Sequence, residues 1–179
     1  MVWLSGRSMA TKRQPVEVLR MSRGKIRITE EKVDPVTFNE LRRSVGWETH
    51  REEDLVLATE NSTFFVTARD ATTGDVVGMG RIIGDSGMFF YIQDIIVRPR
   101  WQGMGIGGMI MDRIMEHIRE NGREGLFVGL MSAEGKEGFY ARYGFKKRPA
   151  PGLGAGMCLE TENVNKKIIH NRGRSEREW

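Results

Sequence analysis

The sequence predicts a single α/β (α+β) domain, with a mixed, mainly antiparallel central sheet flanked by helices and one parallel strand pair around a glycine loop. Three observations predict it. The apolar run Ile92-Gln93-Asp94-Ile95-Ile96-Val97 passes through Arg98-Pro99-Arg100-Trp101 into Gln102-Gly103-Met104-Gly105-Ile106-Gly107-Gly108, after which Ile106, Ile110, Ile114 and Ile118 recur at helical spacing. Three strand-like segments separated by tight turns precede this loop, the mark of antiparallel pairing. A short apolar run, Leu126 to Leu130, follows the helix, as a buried strand parallel to its predecessor should.

Taken in order, Lys25 to Thr29 alternates as a first short strand. Asp34-Pro35 supplies a cap and a first-turn proline, and Phe38, Leu41 and Val45 give the helix behind them an apolar stripe that stops at Gly46. Arg51 to Ala58 reads as a second helix with Leu55 and Ala58 inward. Thr63 to Ala68 and Val76 to Ile83 form a hairpin across Ala71-Thr72-Thr73-Gly74-Asp75, and Met88 to Val97 follows the turn Gly84-Asp85-Ser86-Gly87. Beyond Leu130, Glu134 to Tyr143 is expected to be a helix stopped by Gly144. Phe145 is expected to start a strand, the Pro/Gly-rich stretch from Arg148 to Gly154 to be a loop, and Gly156 to Glu160 to close the sheet.

The length of 179 residues suits one domain with a real core. The domain is expected over 25–160, preceded by a mobile basic extension at 1–24 and followed by a polar tail at 161–179. The net charge of +4 resolves into +5 over residues 1–25, +2 over 161–179 and −3 between them. A basic nucleic-acid face on the folded body is therefore not expected. No apolar run reaches membrane-spanning length, and the N-terminal residues hold no signal-peptide core. Cys158 is the only cysteine, so no intrachain disulfide can form, and the expected compartment is the cytoplasm. His50, His117 and His170 lie too far apart to make a short zinc motif with it, and no metal is expected.

Glycines between a strand and a helix let the backbone approach a ligand, and the helix N-terminus favours an anion, most often phosphate. Gly103, Gly105 and Gly108 satisfy the dinucleotide spacing, but the following strand ends in Met131-Ser132 rather than in an acid for the ribose. A nucleotide P-loop would need Gly-Lys-Ser/Thr where the chain has Gly107-Gly108-Met109. Gln102-x-x-Gly105-x-Gly107 after a strand ending in Val97-Arg98-Pro99 resembles instead the acyl-CoA loop of the GNAT superfamily of N-acetyltransferases. Phe139-Tyr140-Ala141-Arg142-Tyr143-Gly144-Phe145 resembles that family's Phe-Tyr-x-x-x-Gly-Phe segment. The resemblance covers Lys25 to Glu160, with both motifs in its second half.

The resemblance implies a GNAT-like fold and transfer of an acetyl group from acetyl-CoA, as co-substrate, to a primary amine by direct attack in a ternary complex. It places the pantetheine arm on the backbone of Ile95, Ile96 and Val97, and the diphosphate on Gln102, Gly103, Met104, Gly105, Ile106, Gly107 and Gly108. Arg98, Arg100 and Arg142 are further phosphate candidates, weighed against simple solvation. Tyr140 stands where the family has its general acid. A phenol with a pKa of about 10 is protonated at neutral pH and can donate to the departing sulfur.

The family's base projects from the strand before the loop, at positions matching Tyr91 or Gln93, and neither side chain is a good base. Strict alternation puts Tyr91, Gln93 and Ile95 on one face and Asp94 on the other unless a bulge intervenes. The base is therefore unassigned, and a water chain ending at a carboxylate is the preferred account. Trp47 stands where the family places its acceptor wall, so Trp47, Tyr91 and Gln93 are the substrate candidates. The expected partner is a small-molecule or peptide amine, with neither nucleic acid nor membrane, and a homodimer is allowed. Cys158 reads as a small core residue rather than an acyl carrier. The alternative is a non-catalytic acyl-CoA-binding or regulatory module, against which Tyr140 speaks and in favour of which the missing base speaks.

Overall fold

The computed structural model describes residues 25–158, and the extension at 1–24, the tail at 161–179 and Leu159-Glu160 lie outside them. The chain divides into two compact units, Met1–Met131 and Ser132–Trp179. The first holds a five-stranded sheet in the order β1 (Ile26–Thr29), β2 (Phe64–Asp70), β3 (Val76–Gly84), β4 (Phe89–Val97) and β5 (Phe127–Leu130). The first three pairings are antiparallel, and β4 pairs β5 in parallel. The mixed sheet with one parallel pair is the architecture the sequence predicts.

Helix α1 (Pro35–Ser44) begins where the sequence places it, with the Asp34 carboxylate accepting from the Thr37 backbone N–H at 2.9 Å. Phe38 and Leu41 carry it onto the sheet, where they pack with Val33, Leu55, Phe65, Met79 and Ile96. Helix α2 (Glu52–Glu60) adds Leu55 to that layer. On the opposite face, α3 (Ile106–Asn121) buries Ile106, Ile110, Met111 and Ile114, each contributing about 1.5–3 kcal/mol by leaving water. No helix among the described residues is long and apolar enough to cross a membrane.

The hairpin turns are held locally. The Asp85 carboxylate accepts from the backbone N–H groups of Gly87, Met88 and Phe89 at 2.8–2.9 Å, and these donors hold it below the usual carboxylate range.

His117 on α3 stacks on Phe64 with ring centroids 3.8 Å apart. Burial first and the Arg113 guanidinium second hold its imidazole below the ordinary value, while Glu30 and Glu120 pull the other way. The unfolded chain therefore binds this proton more readily than the folded one, and stability should fall as pH drops through about 6.5. Thermal melts at about pH 8 and about pH 5.5 should show a larger loss in the wild type than in His117→Phe, which keeps the stack. Equal losses would remove His117 from the acid response.

In the second unit, α4 (Glu137–Ala141) is shorter than the expected Glu134 to Tyr143, because a turn through Gly135 at φ 73° precedes it. The helix ends at Ala141 with Arg142 as its C-cap, before the expected stop, and Gly144, at φ 87°, lies two residues beyond the cap, where the Phe145 N–H reaches the Tyr140 carbonyl at 3.4 Å. The strand expected from Phe145 does not form, and among the described residues only an isolated bridge between Ala150 and Leu153 follows. Pro149 and Pro151 remove two backbone donors, and Lys146-Lys147-Arg148 sets three cations side by side. Gly156 to Cys158 are likewise without strand structure, so Cys158 is exposed rather than a core residue.

Candidate active site

A single extra residue in β4 reorganises the site. Met79 pairs with Ile96 and Arg81 with Gln93, so two steps along β3 match three along β4. The additional residue is accommodated at Asp94, whose φ is 53°. Left-handed backbone is tolerated best by Gly, Asn and Asp, and it is a usual way to absorb a bulge. Tyr91 and Gln93 stand opposite Ile83 and Arg81, on the face that carries α1. The bulge turns Asp94 to that same face, where its carboxylate meets Arg42 of α1 and Arg81 of β3.

Ile95 is turned to the other face. A Cβ on Gly80 would lie 2.5 Å from the Ile95 Cδ1 and 2.7 Å from the Ile110 Cγ2 of α3. The alternation expected from the sequence, which grouped Ile95 with Tyr91 and Gln93 and set Asp94 apart, is thus reversed beyond Gln93. Gly80 was the available signal, since an interior strand glycine marks a bulge or a close approach.

Asp94 is the buried acid of the site, with its side chain 1% exposed. Its Oδ1 accepts from the Arg42 Nη1 and its Oδ2 from the Arg81 Nε, both at 2.7 Å. Arg42 also donates through its Nε to the Glu48 carbonyl at 2.7 Å, and its guanidinium lies 5.5 Å from the Trp47 ring. Trp47 is half-buried and packs against the α1 core layer. Tyr91 sits in the same unit, its phenol pushed up by burial and opposed by the Met131 backbone N–H. Nothing local in the sequence points to Arg42 or Arg81, because the ion pairs span 52 and 13 residues.

Beside the bulge, β4 also has an open edge, because β5 ends at Leu130. The β4–β5 ladder runs from Phe89↔Phe127 to Ile92↔Leu130 and stops, so β4 from Gln93 onward has a strand partner on the β3 side alone among the described residues. The Gln102 Nε2 ties the loop back to the Val97 carbonyl at 2.8 Å, and Pro99–Trp101 makes one tight helical turn. Gly103 and Gly105 then take φ 77° and 82°, and Gly105 becomes the N-cap of α3. No side chain caps this helix end, and its first turn holds no acidic residue. A Cβ on Gly103 would meet nothing within 4 Å, so the loop is open at that residue. The side chain of Ile106 is core, which leaves its backbone for the loop.

The arginine candidates are partly committed elsewhere. Arg98 donates to the Val76 carbonyl and to Glu40, both at 2.9 Å. Arg100 lies 5.8 Å from the Trp101 ring and Arg142 5.3 Å from the Phe139 ring. In the second unit, Tyr140 is half-buried on α4 between Phe139 and Phe145, with centroids 5.0 and 6.3 Å away and rings near perpendicular. Burial pushes its phenol up, so it is a proton donor at neutral pH.

Residues 60–147 match the model of the acetyltransferase (GNAT) domain. The chain is 29% identical to serotonin N-acetyltransferase 2, chloroplastic, of Oryza sativa subsp. japonica over 65% of this chain and 58% of that protein. It is 27% identical to an uncharacterized N-acetyltransferase, ycf52, of Pyropia yezoensis over 63% of this chain and 64% of that one. The chain thus matches less than two thirds of the length of these curated relatives. Among solved structures, a probable acetyltransferase from meticillin-resistant Staphylococcus aureus superposes with a TM-score of 0.69 at 29% identity, covering 75% of this chain and 98% of that one. A GNAT-family acetyltransferase from Streptococcus pneumoniae gives 0.63 at 29% identity, covering 75% and 97%.

Proposed function

Since the chain belongs to the GNAT superfamily and is an acyltransferase, we propose that it moves an acetyl group from acetyl-CoA to a primary amine by direct attack within a ternary complex. The observation that carries this reading is the free edge of β4 running into an uncapped, glycine-lined helix start. A peptide-like pantetheine arm can add to such an edge at Ile95–Val97 as an extra strand would. The Gln102 N–H is held by the Pro99 carbonyl at 3.1 Å, so the backbone N–H groups from Gly103 to Gly107 are the ones that suit a diphosphate, and the positive end of α3 favours it.

In this reading the amine nitrogen attacks the thioester carbonyl, the C–N bond forms, the C–S bond breaks and sulfur leaves with the bonding pair. The family resemblance assigns the proton delivered to that sulfur to the Tyr140 hydroxyl. The ammonium proton leaves through water, because Tyr91 and Gln93 are not bases and both Asp94 oxygens already accept from guanidiniums. Trp47, Tyr91 and Gln93 line the acceptor side. The rice relative is named for serotonin, a primary alkyl amine, so amines of that class are the first acceptors to test.

Acetyl-CoA at about a hundred times its Kd should stabilise the protein by about 2.7 kcal/mol, visible as a raised melting temperature. Gly107→Leu puts a side chain where the diphosphate would sit, and should abolish that shift while leaving the unliganded midpoint close to wild type. An undiminished shift would sink the loop assignment, and a larger shift with ATP or NADH would redirect it to nucleotides. Thiol release from acetyl-CoA across an amine panel then separates turnover from mere binding, which is the discriminant against a regulatory module.

A further inference from the structure

Asp94 combines a left-handed backbone, near-complete burial and two guanidinium partners. Each partner is anchored elsewhere. Arg42 reaches the Glu48 carbonyl and lies by Trp47, whereas the Arg81 Nη1 donates to the Ala58 carbonyl and the Ser62 Oγ at 3.2 Å and its guanidinium lies 5.6 Å from the Phe38 ring. One carboxylate thus ties α1, the segment after it, the end of α2 and β3 to the bulged residue of β4. Bulged residues are left out of the ladder, so side-chain contacts must fix their geometry.

We propose that Asp94 is a positioning residue: clamped by Arg42 and Arg81, it holds the β4 bulge and so links the Ile95–Val97 backbone to the Trp47 wall. The inference rests on the acetyl-transfer reading for what those two surfaces bind, and on the geometry alone for the clamp. Asp94 does not act on the substrate. Its two oxygens are spent on holding a strand edge and a helix in one arrangement, and small misplacements of such groups are costly in rate.

Two variants separate the carboxylate from the backbone it sits on. Asp94→Asn tolerates the same φ and keeps the size but loses the charge, and Asp94→Gly accepts the φ most easily while removing the side chain. In the unliganded protein, amide exchange at Ile95, Ile96, Val97 and Trp47 should quicken about tenfold or more in both, with Val66 to Ala68 of β2 unchanged. Turnover well below the melting temperature should fall about 10- to 100-fold, with the KM for amine and the Kd for acetyl-CoA both raised.

The pH profile of kcat/KM should keep its acid limb at a lower plateau. Loss of that limb in Asp94→Asn would make Asp94 the base and overturn the positioning role. Exchange that quickens equally in β2, or not at all, would overturn the clamp. If neither variant folds, Arg81→Lys, which keeps the charge but loses the Nε donor, carries the same exchange measurement. A wild type that neither binds acetyl-CoA nor turns over would overturn the acetyl-transfer reading instead, and the exchange data would still decide the clamp.

Discussion

Replacing Tyr140 with Phe is expected to lower kcat about 10²- to 10⁴-fold, the range general acids contribute, with acetyl-CoA affinity held within about twofold. The substitution removes one oxygen from a ring that packs edge-on against Phe139 and Phe145, so the aromatic cluster of α4 persists. What disappears is a phenol that burial keeps protonated. Steady-state kinetics over both substrates, with an equilibrium binding measurement beside them, separates the two effects. A fully active variant would move the acid role to Tyr143, whose ring is 5.7 Å from Phe139. A parallel loss of binding and rate would mean that the residue acts through packing.

Leu41→Ala should be a strongly destabilising truncation of the α1 layer. Leu41 is fully buried among Phe38, Leu55, Phe65, Met79 and Ile96. Truncation of a buried leucine costs about 2–5 kcal/mol, depending on how far the neighbours close the cavity. For a chain of this size that corresponds to a melting temperature lower by on the order of 10 °C, read by circular dichroism. The neighbour in sequence is Arg42, so the variant should also weaken amine binding at temperatures where it remains folded. A shift of only a degree or two would show that α1 is not the main anchor of that face.

How much of this was legible in the sequence divides along physical lines. Local rules found the local features. The Asp34-Pro35 cap, the four-residue recurrence from Ile106 and the turn at Asp85 each depend on residues within one or two turns of each other. The loop at Gln102 to Gly108 was legible for the same reason, because its chemistry is backbone chemistry and glycine announces it. The bulge left only an indirect mark, Gly80 in the partner strand, since one added residue in a run of β-branched side chains alters no periodicity until the pairing is known. With the parity lost, Asp94 fell on the wrong face and its partners Arg42 and Arg81 could not be inferred. The missing strand after Phe145 has another cause. A single aromatic suggested pairing, and the cations and prolines behind it prevailed.

The backbone angle at Asp94 has a consequence for how this chain can drift in sequence. Sterics at φ 53° admit three residues comfortably, glycine, asparagine and aspartate. Electrostatics between two partly buried guanidiniums admits an anion, and glutamate, the other anionic side chain, pays the left-handed penalty that aspartate largely avoids. The two filters overlap at one amino acid. Its neighbour Gln93, on ordinary extended backbone, faces neither filter. A position can thus be nearly immutable without touching any ligand, and a one-residue insertion in a strand is enough to create it.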